Sequence, residues 1–541
     1  MNLVCTDCGE DFDFSAEDRE LYDKCAPLIG GEKFEIPDPH KCESCSMRHR
    51  MIFRNERSLY YRKCSSSGDK IVSIYDDKVK FPVYESSVWF GDSWNACDYG
   101  QDFDFEKPFF EQYLELQGKV PRMALVGDFN ENCHFCNTVG KSKNCYLLCG
   151  SINCEDCYYG NPFFCKKSVD SLLLRNSEIT LECIDSDKLY ECFYCQNCSN
   201  SQRLKFCFAV HNSQDCFACC NLSHAQYQIL NKQYSKEDYE KIVGEIDVST
   251  DAGLEAIWAK FEKLKLEVPH RSYIGTNNEN VGGNYIFNSK DCYDVWGVAD
   301  CRDVRHSFQL AEAKDCIGVA NGEYGELLCN VMAFYKDVSR CIFSTFLWDG
   351  IDALIYSSYC NSNVRDCFGC IGLRHKQYCI LNKQYSKEEY EKLVPKIIEY
   401  MRKTGEWGQF FPAEISPFAY NESIAVEYLP LLKEEVLAKG LRWKDFDGAE
   451  NEGVADALKC EVTAKPFGIM TEERKFYEKC AFALPKRCPK QRHLDRLALR
   501  SAFMSLSQRK CDKCGLEMET SYSNERPEKV YCEKCYREEV Y

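Results

Sequence analysis

The chain has 541 residues, 45% of them hydrophobic and 28% charged, a composition that excludes global disorder. Its net charge is 68 − 85 = −17, which excludes a generally basic nucleic-acid coat but not a local basic patch. No stretch reaches the ~18 consecutive apolar residues of a membrane span. The start, MNLVCTDCGEDFDF, lacks the basic and apolar regions of a signal peptide. The outlier is cysteine, with 38 residues. Without a leader, metal ligands and buried reduced thiols in a cytoplasmic protein are the better reading than disulfides.

Taken in chain order, the first element is C5-TDC8, followed by C42-ESC45. Two thiols one knuckle apart bite a single ion, and a second knuckle completes a tetrahedron. Gly9 frees the turn after the first pair. At the other end stand C511-DKC514 and C532-EKC535, with Gly515 in the same role. The loop between Cys514 and Cys532 falls inside the usual zinc window, whereas the loop between Cys8 and Cys42 is longer. Cys5, Cys8, Cys42, Cys45, Cys511, Cys514, Cys532 and Cys535 are therefore expected to hold two structural Zn2+ ions. Four thiolates close the coordination sphere, so neither ion is a Lewis-acid centre.

Each of these modules has a degenerate partner. Cys5, Phe12, Tyr22 and Cys25 recur as Cys460, Phe467, Tyr477 and Cys480, and RKCSSSG at Cys64 recurs as RKCDKCG at Cys511. Thr463 and Gln491 replace Cys8 and Cys45. Ser67, Glu85 and Val88 stand where Cys514, Cys532 and Cys535 would be. Each end keeps one complete set and one relic, in opposite order.

Beside the modules lie two basic stripes. Arg48, Arg50, Arg54 and Arg57 fall in 46–63, and Arg492, Arg496 and Arg500 in 486–510. On helices, Arg50, Arg54 and Arg57 share a face, as do Arg492, Arg496 and Arg500. Such a face can bind RNA phosphates through bidentate forks, or it can pair with the chain's own carboxylates.

The middle of the chain is duplicated. DCFACCNLSHAQYQILN at 215–231 recurs as DCFGCIGLRHKQYCILN at 366–382, and both continue as KQYSKE into a helix capped by Ser235 or Ser386. Upstream, short strand-like runs follow Cys145, Ser171, Cys192 and Cys216, then Cys292, Cys316, Cys341 and Cys367. Their period of about 20–26 residues, punctuated by Asn, Asp, Gly and Ser, predicts a parallel β-helix with about four rungs in each of 130–234 and 276–385. These eight side chains should be buried in two ladders. The close pairs Cys133/Cys136, Cys154/Cys157, Cys192/Cys195, Cys216/Cys219 and Cys367/Cys370 are read as core, because residues three apart on a strand point to opposite faces and Gly follows none of them. Helices are predicted over 104–118, 252–266 and, interrupted at Pro430, 422–438.

The expected fold is mainly β with α connectors: a duplicated parallel β-helix (β-solenoid) flanked by small zinc-ribbon modules at both ends. The segments are tandem zinc-ribbon-like modules (1–95, first intact, second degenerate), a helical connector (96–129), a first solenoid half plus helix (130–246), a helical linker (247–275), a second solenoid half plus helix (276–398), a helical connector (399–455) and a second tandem (456–541, first degenerate, second intact).

No Walker loop, G-x-G-x-x-G, H-E-x-x-H or G-x-S-x-G occurs. The CxxC…CxxC set, FDFEKPFFEQYLELQGKVPR, the NCYLLCGSINCEDCYYG rungs, LNKQYSKEEYEK and VYCEKCYREE together resemble the large cysteine-rich zinc-ribbon proteins of ultrasmall candidate-phyla bacteria. The resemblance implies a bacterial zinc-binding protein and no particular chemistry. The functional expectation is a non-enzymatic scaffold binding a macromolecule, RNA or a ribonucleoprotein, through the basic zinc-ribbon helices. The alternatives are an acidic solenoid acting as a protein-interaction or nucleic-acid-mimic surface, and a carbohydrate-active β-helix enzyme, the last by fold analogy alone.

Overall fold

The computed structural model describes residues 1–445, 458–500 and 504–540. The end of the 399–455 connector and the start of the 456–541 tandem fall outside these residues. The chain forms two compact units. One combines residues 1–125 with 273–444; the other combines 126–272 with the C-terminal modules. Each terminal tandem thus shares a unit with the sheet farther from it in sequence.

Both units are built on a long, almost wholly parallel sheet. The first sheet has 12 strands, from Gly127–Asp128 to Lys232–Gln233. The second has 14, from Gly275–Thr276 to Lys383–Gln384. Each ends in a short antiparallel hairpin that leads into a helix, Lys236–Gly244 or Lys387–Thr404. Ser235 and Ser386 cap these helices, accepting from the N–H of Asp238 and Glu389.

The register corrects the expected period. Tyr190 pairs with Gln202, Gln202 with Gln214, and Gln214 with Gln226, so each step advances the chain by twelve positions. The step widens to thirteen late in the second sheet, where Leu354 pairs with Cys367. The interval expected from the sequence therefore spans two steps.

The reason lies in the backbone. Nearly every third residue is left-handed: Asn197, Asn200, Arg203, Phe206, Ala209, Asn212 and Asp215 have φ between 48° and 55°. A side chain in this region costs roughly 1 kcal/mol, least for Asn and Asp, and those two types recur at the corners. Because a corner intervenes, residues three apart can both point inward. Cys192 and Cys195 are both buried, as are Cys216 and Cys219. The alternation rule for a straight strand does not govern here.

All eight ladder residues are buried. Cys292, Cys316, Cys341 and Cys367 share one column, with Val304, Leu328 and Leu354 at the intervening steps. In the first sheet Ser171 leaves its expected column. It pairs with Gly160, which pairs with Leu148, whereas Cys192 pairs with Thr180.

The interior thiols have a repeated setting. The sulfur of Cys145 lies 3.2 Å from the carbonyl of Lys143 and 3.6 Å from that of Cys154. Cys183, Cys207 and Cys316 repeat this contact with the carbonyls two residues back and nine ahead. A thiol there is small and apolar, and its weak S–H reaches a carbonyl. Serine bonds in both directions: Ser213 donates to the His211 carbonyl and accepts from the N–H of Ala225 one step on.

Of the predicted helices, 104–118 forms Phe109–Gln117 and 252–266 forms Asp251–Glu267. The 422–438 stretch gives two short helices, Ala425–Tyr428 and Lys433–Ala438, with Pro430, which lacks a backbone N–H, falling between them. Among the described residues, no helix is long and apolar enough to cross a membrane.

Candidate metal centres

The N-terminal centre begins on the turn between strands Asn2–Val4 and Asp11–Asp13. Gly9 donates to the Cys5 carbonyl at 2.9 Å, closing the knuckle, and its φ of 76° is a conformation that glycine adopts without strain. Cys42 is the N-cap of helix Glu43–Met51, and Cys45 lies in its first turn. A helix start favours negative sulfur, but burial and the neighbouring thiols outweigh it and push both Cys42 and Cys45 up.

The C-terminal centre repeats this plan. Strands Ser507–Lys510 and Glu517–Thr520 form the hairpin, and Gly515, also at φ 76°, donates to the Cys511 carbonyl. Cys532 immediately precedes helix Glu533–Val540, which carries Cys535.

In each set the four sulfurs lie within 4.8 Å of one another, and among the described residues these are the two groups that could hold a metal ion. The Cys8–Cys42 and Cys514–Cys532 sulfur pairs are 3.8 Å apart. Four sulfurs at about 2.3 Å from one tetrahedral ion stand about 3.8 Å apart, so the donors fit. The field around each first cysteine fits as well. Burial raises the Cys5 thiol, but the N–H groups of Cys42, Cys8 and Asp7 outweigh it and bring it down to about 6. Burial likewise raises Cys511, and the N–H groups of Cys532, Cys514 and Lys513 bring it down to about 6.

The relics retain this skeleton without the full set of four cysteines. Gly68 donates to the Cys64 carbonyl, and Glu85 N–H reaches the Cys64 sulfur at 3.4 Å. Ala464, left-handed at φ 56°, does for Cys460 what glycine does in the intact modules.

The arginine stripes depart from the expected phosphate-binding face. Arg50, Arg54, Arg492, Arg496 and Arg500 are buried, and Arg48 and Arg57 are half-buried. Arg50 pairs with Glu43 and donates to Ser46 and Asn330, each at 2.6 Å. Arg54 meets Glu56 at 2.5 Å, and Arg57 meets Glu427 at 3.6 Å. Arg48 directs its guanidinium at the Cys45 sulfur, 3.7 Å away. Arg492 pairs with Asp170 and, at 3.1 Å, with Glu473; Arg496 bridges Asp170 and Glu182 at 3.0 and 2.9 Å; Arg500 meets Asp185 at 2.8 Å.

The geometry explains this pairing. Asp170, Glu182 and Asp185 are left-handed corner residues of the first sheet. Asp170 and Glu182 are one step apart, about 4.8 Å, while Arg492 and Arg496 are one helical turn apart, about 5.4 Å. The stripe on helix Pro489–Ala498 therefore meets the corners of the sheet. Burial pushes the Glu182 carboxyl up to about 7, against the pull of Arg496.

A related network joins helix Ala16–Cys25 to the second sheet. His306 is held between Asp18, at 3.1 Å, and Asp294, at 2.8 Å, and Arg305 also donates to Asp18. Sequence reasoning missed His306 and the acceptor carboxylates of the arginines, because most of these partners lie hundreds of residues away.

No protein-family model matches the sequence. No curated protein matches it. Among solved structures, it is similar to a candidate acetyltransferase from Desulfovibrio desulfuricans G20 at 11% identity and a TM-score of 0.10, over 46% of this chain and 63% of that one. A likeness this slight carries no argument about fold or activity.

Proposed function

We propose that this protein is a non-catalytic scaffold: two β-solenoids, each coiling once per eleven to thirteen positions, carrying modules stapled by structural zinc. The observation that carries the reading is the pair of closed four-thiolate sets, whose sulfur spacing suits a tetrahedral ion with no open position. All-sulfur tetrahedral donors favour zinc or iron, and redox-silent zinc suits a holding role. The unpaired thiols suit a reducing compartment, the cytoplasm.

The partner we infer is a protein rather than RNA. The arginines that would have met phosphates are engaged with Asp and Glu, and what remains of the chain is strongly acidic. Capture of partners from native lysate, with and without nuclease, tests this together with metal analysis. Partners that survive nuclease and two zinc ions per chain are expected. Loss of every partner on nuclease treatment restores the RNA reading, and protein purified without metal ends the scaffold reading as stated.

A further inference from the structure

One face of the first sheet carries a shallow, open trough of about 570 Å³ that neither metal centre explains. Two columns of side chains wall it. One is Tyr190, Gln202, Gln214 and Gln226, paired in successive steps of the sheet. The other includes Asn200, Asn212 and His224, left-handed corner residues one step apart. The residues between the columns turn inward, and Ser201 and Ser213 are buried on the floor. The trough therefore offers a polar pair at successive steps, about 4.8 Å apart along the sheet: Asn200 with Gln202, Asn212 with Gln214 and His224 with Gln226, Gln202 donating to Gln214 at 2.6 Å.

Its lining departs from the acidic composition of the chain. The chain has 85 Asp and Glu, yet none lines the trough. Amides and hydroxyls dominate, with Lys188 at one end and the exposed ring of Tyr190 beside it. A nucleic acid needs several cations, and a protein docking face needs apolar anchors. Amides both donate and accept, which matches a neutral hydroxyl-rich chain, and an exposed tyrosine offers a flat face to a sugar ring. The step is close to the length of one sugar residue in an extended chain. The corresponding column of the second sheet runs Glu326, Ser339, Asp352, Arg365 and Gln377, and there Arg340 pairs with Asp352. The two sheets thus differ in the chemistry of this face.

We infer that the trough is a binding site for a linear, uncharged polysaccharide lying along the sheet axis, with successive sugars read by the Gln and Asn columns and one ring packed on Tyr190. The site binds and does not cleave, since no carboxylate pair lines it.

The test uses the full chain in native affinity electrophoresis through gels holding hydroxyethyl cellulose, glucomannan or dextran, with anionic polygalacturonate as the control. Retardation by at least one neutral polymer and none by polygalacturonate is expected. Tyr190→Ala should weaken retardation at least tenfold. Asn200→Asp combined with Asn212→Asp keeps residues that tolerate the left-handed corner, so it should preserve the fold, checked by circular dichroism, while weakening neutral-glycan binding. Unretarded wild-type protein in every neutral gel overturns the inference. So does stronger retardation by polygalacturonate, or retardation unchanged in the folded double variant.

Discussion

The two units solve one problem in two ways. In each, a terminal module lays its helices against a parallel sheet. In the first unit that module keeps its four cysteines, and its contacts with the sheet are spread over Asp18 with Arg305 and His306, Arg50 with Asn330, and Lys24 with Asp315. In the second, the docking module has lost two ligands, and three buried arginines meet Asp170, Glu182, Asp185 and Glu473. The sequence equivalents, Tyr22 with Tyr477, Asp18 with Glu473 and Arg50 with Arg496, are all buried, so the docking plan is shared. The other module of each unit shows the same exchange. The relic around Cys64 builds an apolar core from Ile71, Ile74, Tyr75, Phe81, Val83 and Phe418, with Tyr75 stacked on Phe418 at 5.4 Å. The intact module around Cys511 clusters its cysteines with Met518 and Tyr531 and also buries Tyr522, Val530 and Tyr536. Where the thiolate set is gone, ion pairs or apolar packing take over the holding.

Metal removal should break this comparison most visibly. A structural zinc contributes roughly 10–16 kcal/mol of apparent folding free energy to a small domain. Chelation should therefore unfold residues 507–540 while the relics at Cys64 and Cys460 keep their amide protection in hydrogen exchange. Cys535→Ser should lower zinc from two per chain to one. Equal loss of protection in intact and relic modules would show that metal does not distinguish them.

Raising the pH should come next. In the second sheet, burial holds the thiols of Cys292 and Cys370 up to about 11, and those of Cys301, Cys329, Cys341 and Cys360 up to about 12. In the unfolded chain they ionise near 8.5. The folded state then holds more protons, so stability falls as pH rises above 8.5. Each thiol loses about 2 kcal/mol by pH 10, and six together lose about 12. Denaturant midpoints should drop steeply over that interval. A flat profile to pH 10 would mean that these thiols are not buried as neutral S–H.

The arginine network carries the third expectation. Arg496→Ala leaves buried carboxylates facing a lost partner and should cost about 3–5 kcal/mol. Arg496→Met combined with Asp170→Asn and Glu182→Gln should recover much of that, since it removes charge on both sides. RNA retention in gel shifts should be the same for wild type and variants. Selective loss of RNA binding, at unchanged stability, would return these residues to the surface role assigned by their spacing.

The choice between those two readings of the arginines marks where the sequence stops being legible. The two groups of four cysteines that could hold a metal ion were legible because a knuckle is local: two cysteines, two intervening residues and a glycine suffice. The helix caps Ser235 and Ser386 are equally local. The step of twelve was harder, although Cys183, Cys195, Cys207 and Cys219 recur at that spacing, because a corner at every third residue replaces strand alternation with a period that neither helix nor strand templates contain. The arginines could not be placed at all. A basic stripe looks the same whether it faces solvent or carboxylates, and Asp170 lies 322 residues from Arg492.

The smallest effect belongs to His306 and tests the first unit alone. Its ring is partly buried and faces Asp18 and Asp294, with Glu43 nearby and Arg305 adjacent. Burial lowers its affinity for a proton, but the two carboxylates more than reverse this and carry it up to about 10. Both ring nitrogens lie within bonding distance of a carboxylate, which an imidazolium satisfies by donating twice. The folded value is raised above the unfolded value near 6.5, so the stabilisation is fully present below pH 6.5 and is lost as pH rises toward 10. Between pH 6.5 and 8, below the range in which the thiols ionise, the folded chain keeps this proton and the unfolded chain releases it. His306 contributes a fall of about 1.5 kcal/mol over that interval, to which Glu182, held up at about 7, adds a further fall and the depressed His49 and His270 a smaller rise. His306→Gln keeps one donor and no titration, so it should remove that share of the slope while leaving the part that Glu182 carries and the steep loss above pH 8.5 in place. The carboxylates that Arg492, Arg496 and Arg500 meet in the second unit do not involve His306, so Arg496→Met combined with Asp170→Asn and Glu182→Gln should leave the slope that His306 carries intact. If the His306→Gln variant shows the wild-type slope there, the proton belongs to another group, and the pairing of helix Ala16–Cys25 with the second sheet does not depend on a charged histidine.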